Sequence, residues 1–324
     1  MGIFSRLSQE HIVFGLALML CIVFAVLVPG FLTTNNLVNL VRSVSILGIL
    51  GVAMGLVVIG RGIDLSLVAL MAISVAWTLQ LIATGIPLVY ALAAGMAFSM
   101  IVGMINGILV AYVEIPAIFA TLAMGIAIYG FGRYFLFDLD VIYFPEGAEP
   151  LRWLGVGSLF GLPAPIIVFA VVCLCAHLFL RFTKSGSYLR AVGDNISAAR
   201  ITGIPARPVI LLQYMISALI GFVAGCATAA SVASMNTRIA NSTFVYDVIL
   251  VVVLGGIGLS GGRGGVRNVI VGTLLIGVLI NGMTIMNIQY TVQNVIKGVI
   301  LLLAIVLDTI LNPRDEQTAQ QGDI

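Results

Sequence analysis

Charged residues are scarce in this sequence. Of its 324 residues only 9% are Asp, Glu, Lys or Arg, whereas 61% are hydrophobic. A typical soluble domain carries about 25% charged residues, so a soluble fold could not cover this much apolar surface. The mean hydropathy of +1.18 therefore predicts a chain whose solvent is lipid.

Reactive and metal-binding side chains are equally rare. The two histidines, His11 and His177, stand far apart in the sequence, so we expect no metal site, no cofactor and no catalytic cluster. The four cysteines lie inside apolar runs and are expected to be small buried hydrophobes rather than disulfide partners. With a net charge of +2 and no basic run, the chain also lacks a surface for nucleic acid.

Nucleotide-binding loops are missing too. The only lysines are Lys184 and Lys297, and Thr183 rather than glycine precedes Lys184-Ser185, so no phosphate-cradling loop exists. The run Gly256–Gly261 has the spacing of a dinucleotide-binding fingerprint, but apolar spans flank it instead of the strand and helix of an α/β domain. We therefore expect neither ATP hydrolysis nor dinucleotide binding by this chain.

Long apolar runs are what the sequence has in abundance. Because a helix needs about 20 apolar residues to cross a bilayer, these runs predict an all-α membrane bundle of about ten spans, forming a single domain over residues 1–324. We interpret the first run as an uncleaved span, since no small-x-small cleavage site follows it. The expected spans are Ile12–Val28, Leu37–Ile59, Leu65–Thr84, Leu88–Val113, Ala117–Phe135, Ile166–Phe182, Val209–Ala233, Phe244–Leu259, Val266–Met286 and Val292–Leu311.

The distribution of charge in the loops predicts the orientation, because cytoplasmic loops are rich in Lys and Arg. The loop 183–208 and its preceding residues are basic, whereas the loop 136–162 is acidic, so we place the first inside and the second outside. Both termini, including the tail 312–324, are then cytoplasmic. The residues behind this assignment are Arg181, Lys184, Arg190, Arg200 and Arg207 inside, and Asp138, Asp140, Glu146 and Glu149 outside.

Asp64 is the most informative acid, because it directly follows the second span. Charged groups are costly at membrane depth and often functional. Two interpretations remain open: Asp64 or Ser66 caps the third span, which we favour, or Asp64 takes a direct part in transport. Arg61 lies one helical turn before Asp64, at a spacing that allows an ion pair.

Mid-membrane acids of the kind that relay protons are otherwise not expected. We place Glu114 in a cytoplasmic turn, Asp247 near an outer helix start and Asp308 in the last turn of the last span. This argues against an ion-coupled carrier. Polar residues inside the spans are our candidates for a translocation path: Asn106, Thr121, Tyr129, Gln213, Asn281 and Thr284.

The basic loop contains a short predicted helix. Asp194 or Asn195 can cap it, Gly203 can end it, and Pro205 prevents its continuation. Ala198 and Ala199 give it a face of small side chains, which suits docking into a groove of a partner protein. The alternative, equally open, is a connecting helix that only holds two spans apart.

Two local patterns concern packing. Glycines recur at small-residue spacing at Gly48, Gly51 and Gly55 and again at Gly103 and Gly107, as in closely packed membrane helices. The run Gly62–Ser66 also echoes Gly256–Ser260, which indicates either an internal repeat or a chance match in a Gly-rich chain.

Four stretches carry a common pattern: Gly62–Ser66, Asn106–Ala111 with Ile115–Leu122, Gly193–Ile204 and Gly255–Gly264. Together they resemble the permease subunits of ATP-binding-cassette importers for ribose, galactose, xylose and autoinducer-type sugars. The resemblance runs in order from Leu37 to Leu311. The chain departs from the family pattern at Arg61, where glycine is usual, at Leu67-Val68, and at Ile196, where glutamate is frequent.

The resemblance implies a transport subunit of the bacterial inner membrane without enzymatic activity of its own. It implies a cytoplasmic ATPase, a periplasmic sugar-binding protein and a second permease subunit, identical or related, as partners. It also implies a coupling segment and a gate near the cytoplasm. The residues it assigns are Gly193, Asn195, Ala198, Ala199, Arg200 and Gly203 for coupling, and Asp64, Ser66, Gly261, Gly262 and Arg263 for the family signature and gate.

Other functions compete with this one. The same architecture could import branched-chain amino acids or nucleosides instead of a monosaccharide or polyol. An ion-coupled carrier and a membrane enzyme are alternatives of other classes, against which the expected lack of mid-membrane acids and of catalytic clusters argues.

Overall fold

The computed structural model describes residues 9–311 and shows a bundle of α-helices with a few short strands. The helices within this part of the chain are α1 (Gln9–Leu27), α2 (Thr34–Ile59), α3 (Leu67–Ala83), α4 (Leu88–Ala111), α5 (Ala117–Phe131), α6 (Glu149–Val156), α7 (Ala164–Phe182), α8 (Lys184–Asp194), α9 (Ile196–Ile201), α10 (Ala206–Val232), α11 (Phe244–Leu254), α12 (Val266–Ile285) and α13 (Tyr290–Leu311). The strands are β1 (Val141–Tyr143), β2 (Ser158–Leu159), β3 (Leu162–Pro163) and β4 (Ser234–Asn236).

The predicted fold class is confirmed. Seven helices are long and apolar enough to cross a membrane, and α3, α11 and the described part of α13 are shorter apolar helices. These ten coincide with the ten predicted spans. The number of crossings and the side of each terminus stay predictions, because residues 1–8 and 312–324, with the predicted tail, lie outside the described residues.

Helix α2 forms the centre of the bundle. Every residue from Leu47 to Ile59 is buried, and α7, α10, α11 and α12 surround it. Close approach depends on small residues, as predicted: a Cβ built on Gly51 or Gly55 would lie 3.0 Å from the Val269 side chain of α12. The glycine pattern therefore marks helix contacts.

The segment between α5 and α7 forms a small cap at one end of the bundle. A π-helical turn, 132–136, follows α5, and β1 then pairs antiparallel with β4 from beyond α10.

Asp140 accepts hydrogen bonds from the guanidinium groups of Arg133 and Arg238, the second at 2.5 Å. The hydrogen bond from Arg238, assisted by the charge of Arg133, lowers the pKa of Asp140 below its ordinary value of 3.8.

This lowered pKa gives a prediction of pH dependence. The ionised Asp140 stabilises the fold above its ordinary pKa, and the contribution disappears only as the pH falls through the lower folded-state pKa. We expect Asp140→Asn to lower the melting temperature of the detergent-solubilised protein equally at pH 7 and pH 5. If the melting-temperature difference between the variant and the unchanged protein became smaller on going from pH 7 to pH 5, this would contradict the ion-pair assignment.

The orientation generates a labelling prediction. We expect a cysteine at Ala198, exposed on α9, to resist a membrane-impermeant thiol reagent in intact cells, and a cysteine at the exposed Glu146 to react. Both changes are made in a variant whose four native cysteines are replaced by alanine. We choose Glu146 rather than the neighbouring Gly147, because Gly147 has φ +91° and a cysteine there would be strained. Reversed labelling would overturn the predicted orientation.

Candidate functional site

Two interruptions between helices carry the residues that the sequence singled out. The first link, Gly60–Ser66, joins α2 to α3, and the second link, Gly255–Gly265, joins α11 to α12. The predicted span Phe244–Leu259 was therefore too long, because the helix ends at Leu254. The remaining residues of that predicted span, 255–259, are largely apolar but not helical.

The two links begin with the same backbone pattern. In the first, Gly62 N donates to Val57 O at 2.9 Å, and in the second Ile257 N donates to Val252 O at 3.1 Å. The residue before each donor has a left-handed conformation, φ +64° at Arg61 and φ +92° at Gly256. This is the Schellman ending of an α-helix.

The shared ending shifts the sequence echo by one position. The letter match pairs Gly62 with Gly256, whereas the hydrogen bonds align Arg61 with Gly256. Arg61 thus occupies a left-handed position that glycine adopts at lower energy. The departure from the family pattern noted above falls on this position.

Asp64 lies fully inside the protein, with 1% of its surface exposed. Its Oδ1 accepts from Ser66 N at 3.1 Å and from Ser66 Oγ at 2.6 Å, and its Oδ2 accepts from Ser217 Oγ of α10 at 3.2 Å. The N-cap residue of α3 is Ser66, whose side chain makes no capping hydrogen bond to the helix, and a direct part of Asp64 in transport stays a prediction. Asp64 closes the turn just before the helix. It also ties this turn to α10.

Three of the six path candidates surround the first link. Asn106 Nδ2 donates to Ser66 Oγ at 2.8 Å, and Leu65 N donates to Thr121 Oγ1 at 3.0 Å. Gln213 lies against Gly60, where an added Cβ would come 1.7 Å from its Oε1. These side chains are all buried, but they differ in what they bond. Thr121 serves the backbone of the link and Asn106 a side chain, whereas the buried Gln213 Oε1 has no hydrogen-bond partner. Their role in lining a path stays a prediction.

The other three candidates lie elsewhere. Asn281 exchanges hydrogen bonds with Asn36 of α2, at 2.9 and 3.1 Å. Thr284 donates to Ile280 O within its own helix, and Tyr129 packs in the cluster around α3. The structure therefore does not bring the six residues together along one surface.

The predicted coupling segment forms the helix pair α8–α9. Asn195 is the cap between the two helices, since its Oδ1 accepts from Ala198 N at 2.9 Å, and Gly203 ends the unit with φ +82°. The expected face of small residues is wrong: Ala199 is buried whereas Ala198 is exposed, because neighbouring helix positions point about 100° apart.

Sequence reasoning missed the most exposed apolar side chain of this unit. Ile201, in the last turn of α9, is 87% exposed. Arg200 beside it is also exposed. Single exposed apolar side chains are common on protein surfaces, so Ile201 is of interest because it lies in the predicted coupling segment. Its position at the end of a basic helix made it inconspicuous in the sequence.

Backbone atoms of α8, of the end of α2 and of the second link meet at one point, which we call the glycine junction: Ile59, Gly193, Asp194, Gly261 and Gly262. Gly262 N donates to Ile59 O at 2.8 Å. A Cβ on Gly193 would lie 1.9 Å from Ile59 O and 2.7 Å from Gly262 N, and a Cβ on Gly262 would lie 2.7 Å from the Asp194 backbone. The predicted coupling and gate residues are thus in direct contact, with Arg263 exposed beside them.

Buried acids are present, contrary to the expectation from the sequence. Asp64 is one, and Asp247 of α11 is another, with 7% of its surface exposed. The Asp247 carboxylate contacts Lys297 of α13, with Nζ 2.7 Å from Oδ1 and 2.9 Å from Oδ2. Asp247 nevertheless lies in the first turn of α11, at the helix start where the sequence placed it, so the sequence missed its burial in protein and its lysine partner. The lack of mid-membrane acids stays a prediction.

Comparison with known proteins gives one consistent picture. Residues 36–305 match the family described as branched-chain amino acid transport system / permease component. The ribose import permease RbsC of Escherichia coli K12 is 31% identical over 93% of this chain and 94% of its own length. The L-arabinose transport system permease AraH of the same organism is 30% identical over 94% and 92%, and its galactofuranose transporter permease YtfT is 31% identical over 84% and 79%. No solved structure shows a significant match.

The glycine junction generates a prediction about packing. Alanine favours a helix over glycine by about 1 kcal/mol, but a Cβ at Gly193 would overlap backbone atoms that cannot rotate away. Overpacking of this kind costs about 1–3 kcal/mol or more, so the steric effect dominates. We expect Gly193→Ala to lower the melting temperature of the purified protein.

The matched control is Gly265→Ala. A Cβ there would have Arg190 Nη2, at 3.8 Å, as its nearest neighbour, and the backbone is extended with φ −179°. We expect this control to melt as the unchanged protein does. Equal melting of the two variants would show that the junction is looser than the structure indicates.

Proposed function

The chain belongs to the family described as branched-chain amino acid transport system / permease component, and on that basis we propose that it is the membrane-spanning permease subunit of an ATP-driven sugar importer. Its cargo is a monosaccharide or a related polyol. The observation that carries this proposal is the near full-length similarity to permeases named for ribose and L-arabinose. The chain is a multi-pass protein of the bacterial inner membrane.

The family description names branched-chain amino acids, but the relatives favour sugars. Those given above are named for ribose, L-arabinose and galactofuranose. An ion-coupled carrier is disfavoured for the same reason, even though acids are buried in the bundle. Asp64 is held by hydroxyl groups and a backbone amide, and Asp247 by a lysine.

The geometry supports coupling to an ATPase on a separate chain. The α8–α9 unit projects from the predicted cytoplasmic face, and Asp194 at its centre belongs to the glycine junction. Because the junction consists of backbone contacts, side-chain rotation cannot absorb a displacement of α8. Movement of a docked ATPase would therefore reach the end of α2 and the second link together.

The remaining parts of the importer follow from this assignment. The ATPase docks on α8–α9, a periplasmic sugar-binding protein docks on the cap that contains β1, β4 and α6, and a second permease subunit completes the path. The permease binds no cofactor and performs no chemistry of its own. Residue 64 holds the first link in place, and residues 261–263 form part of the gate beneath it.

Docking on α9 gives a test with separable outcomes. We expect Ala198→Trp to lower ATP hydrolysis stimulated by the sugar-binding protein in the reconstituted complex, because bulk on an exposed helix face blocks insertion into a cleft. Ile201→Ser removes an aliphatic anchor worth about 1.5–3 kcal/mol when buried, so the ATPase should bind about tenfold or more weakly. Arg200→Ala should be the mildest change, since an exposed ion pair is worth about 0–1 kcal/mol.

The control for these variants is Leu32→Ser, an exposed leucine in the turn between α1 and α2, outside both the α8–α9 unit and the cap. It should leave ATP hydrolysis and co-purification of the ATPase unchanged. Unchanged hydrolysis in both Ala198→Trp and Ile201→Ser would show that α8–α9 is only a connector and that the ATPase docks elsewhere.

A further inference from the structure

A cavity of about 320 Å³ lies between α11 and α13. Its walls are largely apolar, with Leu250 on one side and Leu302 on the other, but a group of polar side chains lines it as well. Pockets for small molecules have about 300–1,000 Å³ and combine apolar walls with a few placed polar groups. The cavity is therefore of a size that suits a small ligand.

Another large cavity provides a contrast. It measures about 470 Å³ and lies along α7 and the residues before it, and all its lining residues are apolar. Such a surface is compatible with lipid chains. The cavity between α11 and α13 is smaller but is lined in part by polar side chains. Those side chains, and not its volume, make it a candidate site for a polar ligand.

The polar groups form one connected set. Tyr290 and Thr243 share a hydrogen bond of 2.7 Å between their hydroxyl groups, and Thr243 Oγ1 donates to Asn294 Oδ1 at 3.2 Å. The Lys297 ammonium lies 5.5 Å from the centre of the Tyr290 ring and contacts Asp247. Asn294 also carries an amide Nδ2 with two donor hydrogens.

The ion pair needs an explanation beyond stability. Removing a carboxylate and an ammonium from water costs several kcal/mol each, and an apolar pair of similar size often serves stability as well or better. In membrane proteins, such groups face the bundle interior or a water-filled passage. The outward face of α13 at this height is apolar, with Val295 and Val299 more than half exposed, so the pair faces the cavity side.

The chemistry of the set selects among ligands. Asp247 and Lys297 neutralise each other at contact distance, so a zwitterion or an anion would have to break the pair. A neutral polyol can donate to the carboxylate and accept from the ammonium while the pair persists. The ring of Tyr246, also in the lining, can cover the apolar face of a sugar ring.

We propose that this cavity is a subsite for the hydroxyl groups of a monosaccharide at the outer mouth of the translocation path, built from Thr243, Asp247, Asn294 and Lys297. The inference rests on the proposed function as a sugar permease. On the predicted orientation, α11 and α13 both begin at the outer side, so the cavity lies where a sugar released by the binding protein enters. None of these four residues was among the path candidates from the sequence.

The test uses the whole complex in proteoliposomes, with its ATPase and its sugar-binding protein. Uptake of radiolabelled D-ribose and L-arabinose and hydrolysis of ATP are measured on the same preparation. We compare the double variant Thr243→Val/Asn294→Leu with Thr309→Val, which removes a hydroxyl group from the same helix α13 beyond the cavity. Two lost hydrogen bonds to sugar predict uptake about tenfold slower in the double variant, at unchanged stimulated ATP hydrolysis, and normal uptake in the control.

The outcomes separate the claims. Normal uptake by the double variant would overturn the subsite and leave the permease function standing. Parallel loss of uptake, ATP hydrolysis and subunit association would also overturn it, because the set would then belong to the packing of the bundle or to an interface with the second subunit. Absence of uptake of either sugar by the unchanged complex, with uptake of leucine in its place, would reject the sugar permease function itself.

Discussion

Backbone amides and carbonyls at membrane depth need hydrogen-bond partners within the protein, because hydrocarbon offers none. Helical hydrogen bonding stops at the two links, so their backbone N–H and C=O groups need hydrogen-bond partners from the surrounding residues. In the first link, Asp64 serves Ser66 N and Thr121 serves Leu65 N. In the second, Asn268 Nδ2 donates to Gly255 O at 2.8 Å. The buried side chains of Asp64, Thr121 and Asn268 meet these demands.

The same constraint joins the links to the helices beneath them. Ile59 O is left without a helical partner at the end of α2 and accepts from Gly262 N of the second link. That contact is possible only because Gly193 and Gly262 have no side chains to separate the strands of backbone. The end of α2 is thus satisfied by the same few atoms that, on the proposed function, would pass movement from α8 into the bundle. We regard this as the reason why three distant Gly-rich segments occur in one sequence.

The sequence predicted the helices well and their contacts poorly. α4 and α12 begin at the expected residues Leu88 and Val266, because a polar or Pro-containing turn precedes each apolar run. The end of α11 was missed, since Gly255 and Ile257 continue the apolar run although Gly256 takes a left-handed conformation. Hydropathy reports burial, and a link packed inside protein is as apolar as a helix.

Pairing across the chain explains the remaining errors. Asp247 has the sequence context of an exposed residue at a helix start, and its partner Lys297 is 50 positions away. Without the fold, neither residue indicates that the other neutralises it. Ala198 and Ala199 are the opposite case: their identity was noted, but only the packing of α9 shows that one faces the bundle and the other the solvent.

The short helix α11 connects these features. With 11 residues it is only about 16 Å long, with Asp247 in its first turn and the second link directly after its last. A helix of this length without an internal break moves as one body, whereas Gly262 lies beyond its end in the non-helical second link. The ion pair is directional and short, so small shifts change how it presents its oxygen and nitrogen atoms to the cavity. The outer polar cavity contacts the first turn of α11, and the second link with the glycine junction follows its last turn. On the proposed function, a displacement of α8 would reach the cavity through the second link and α11 in series.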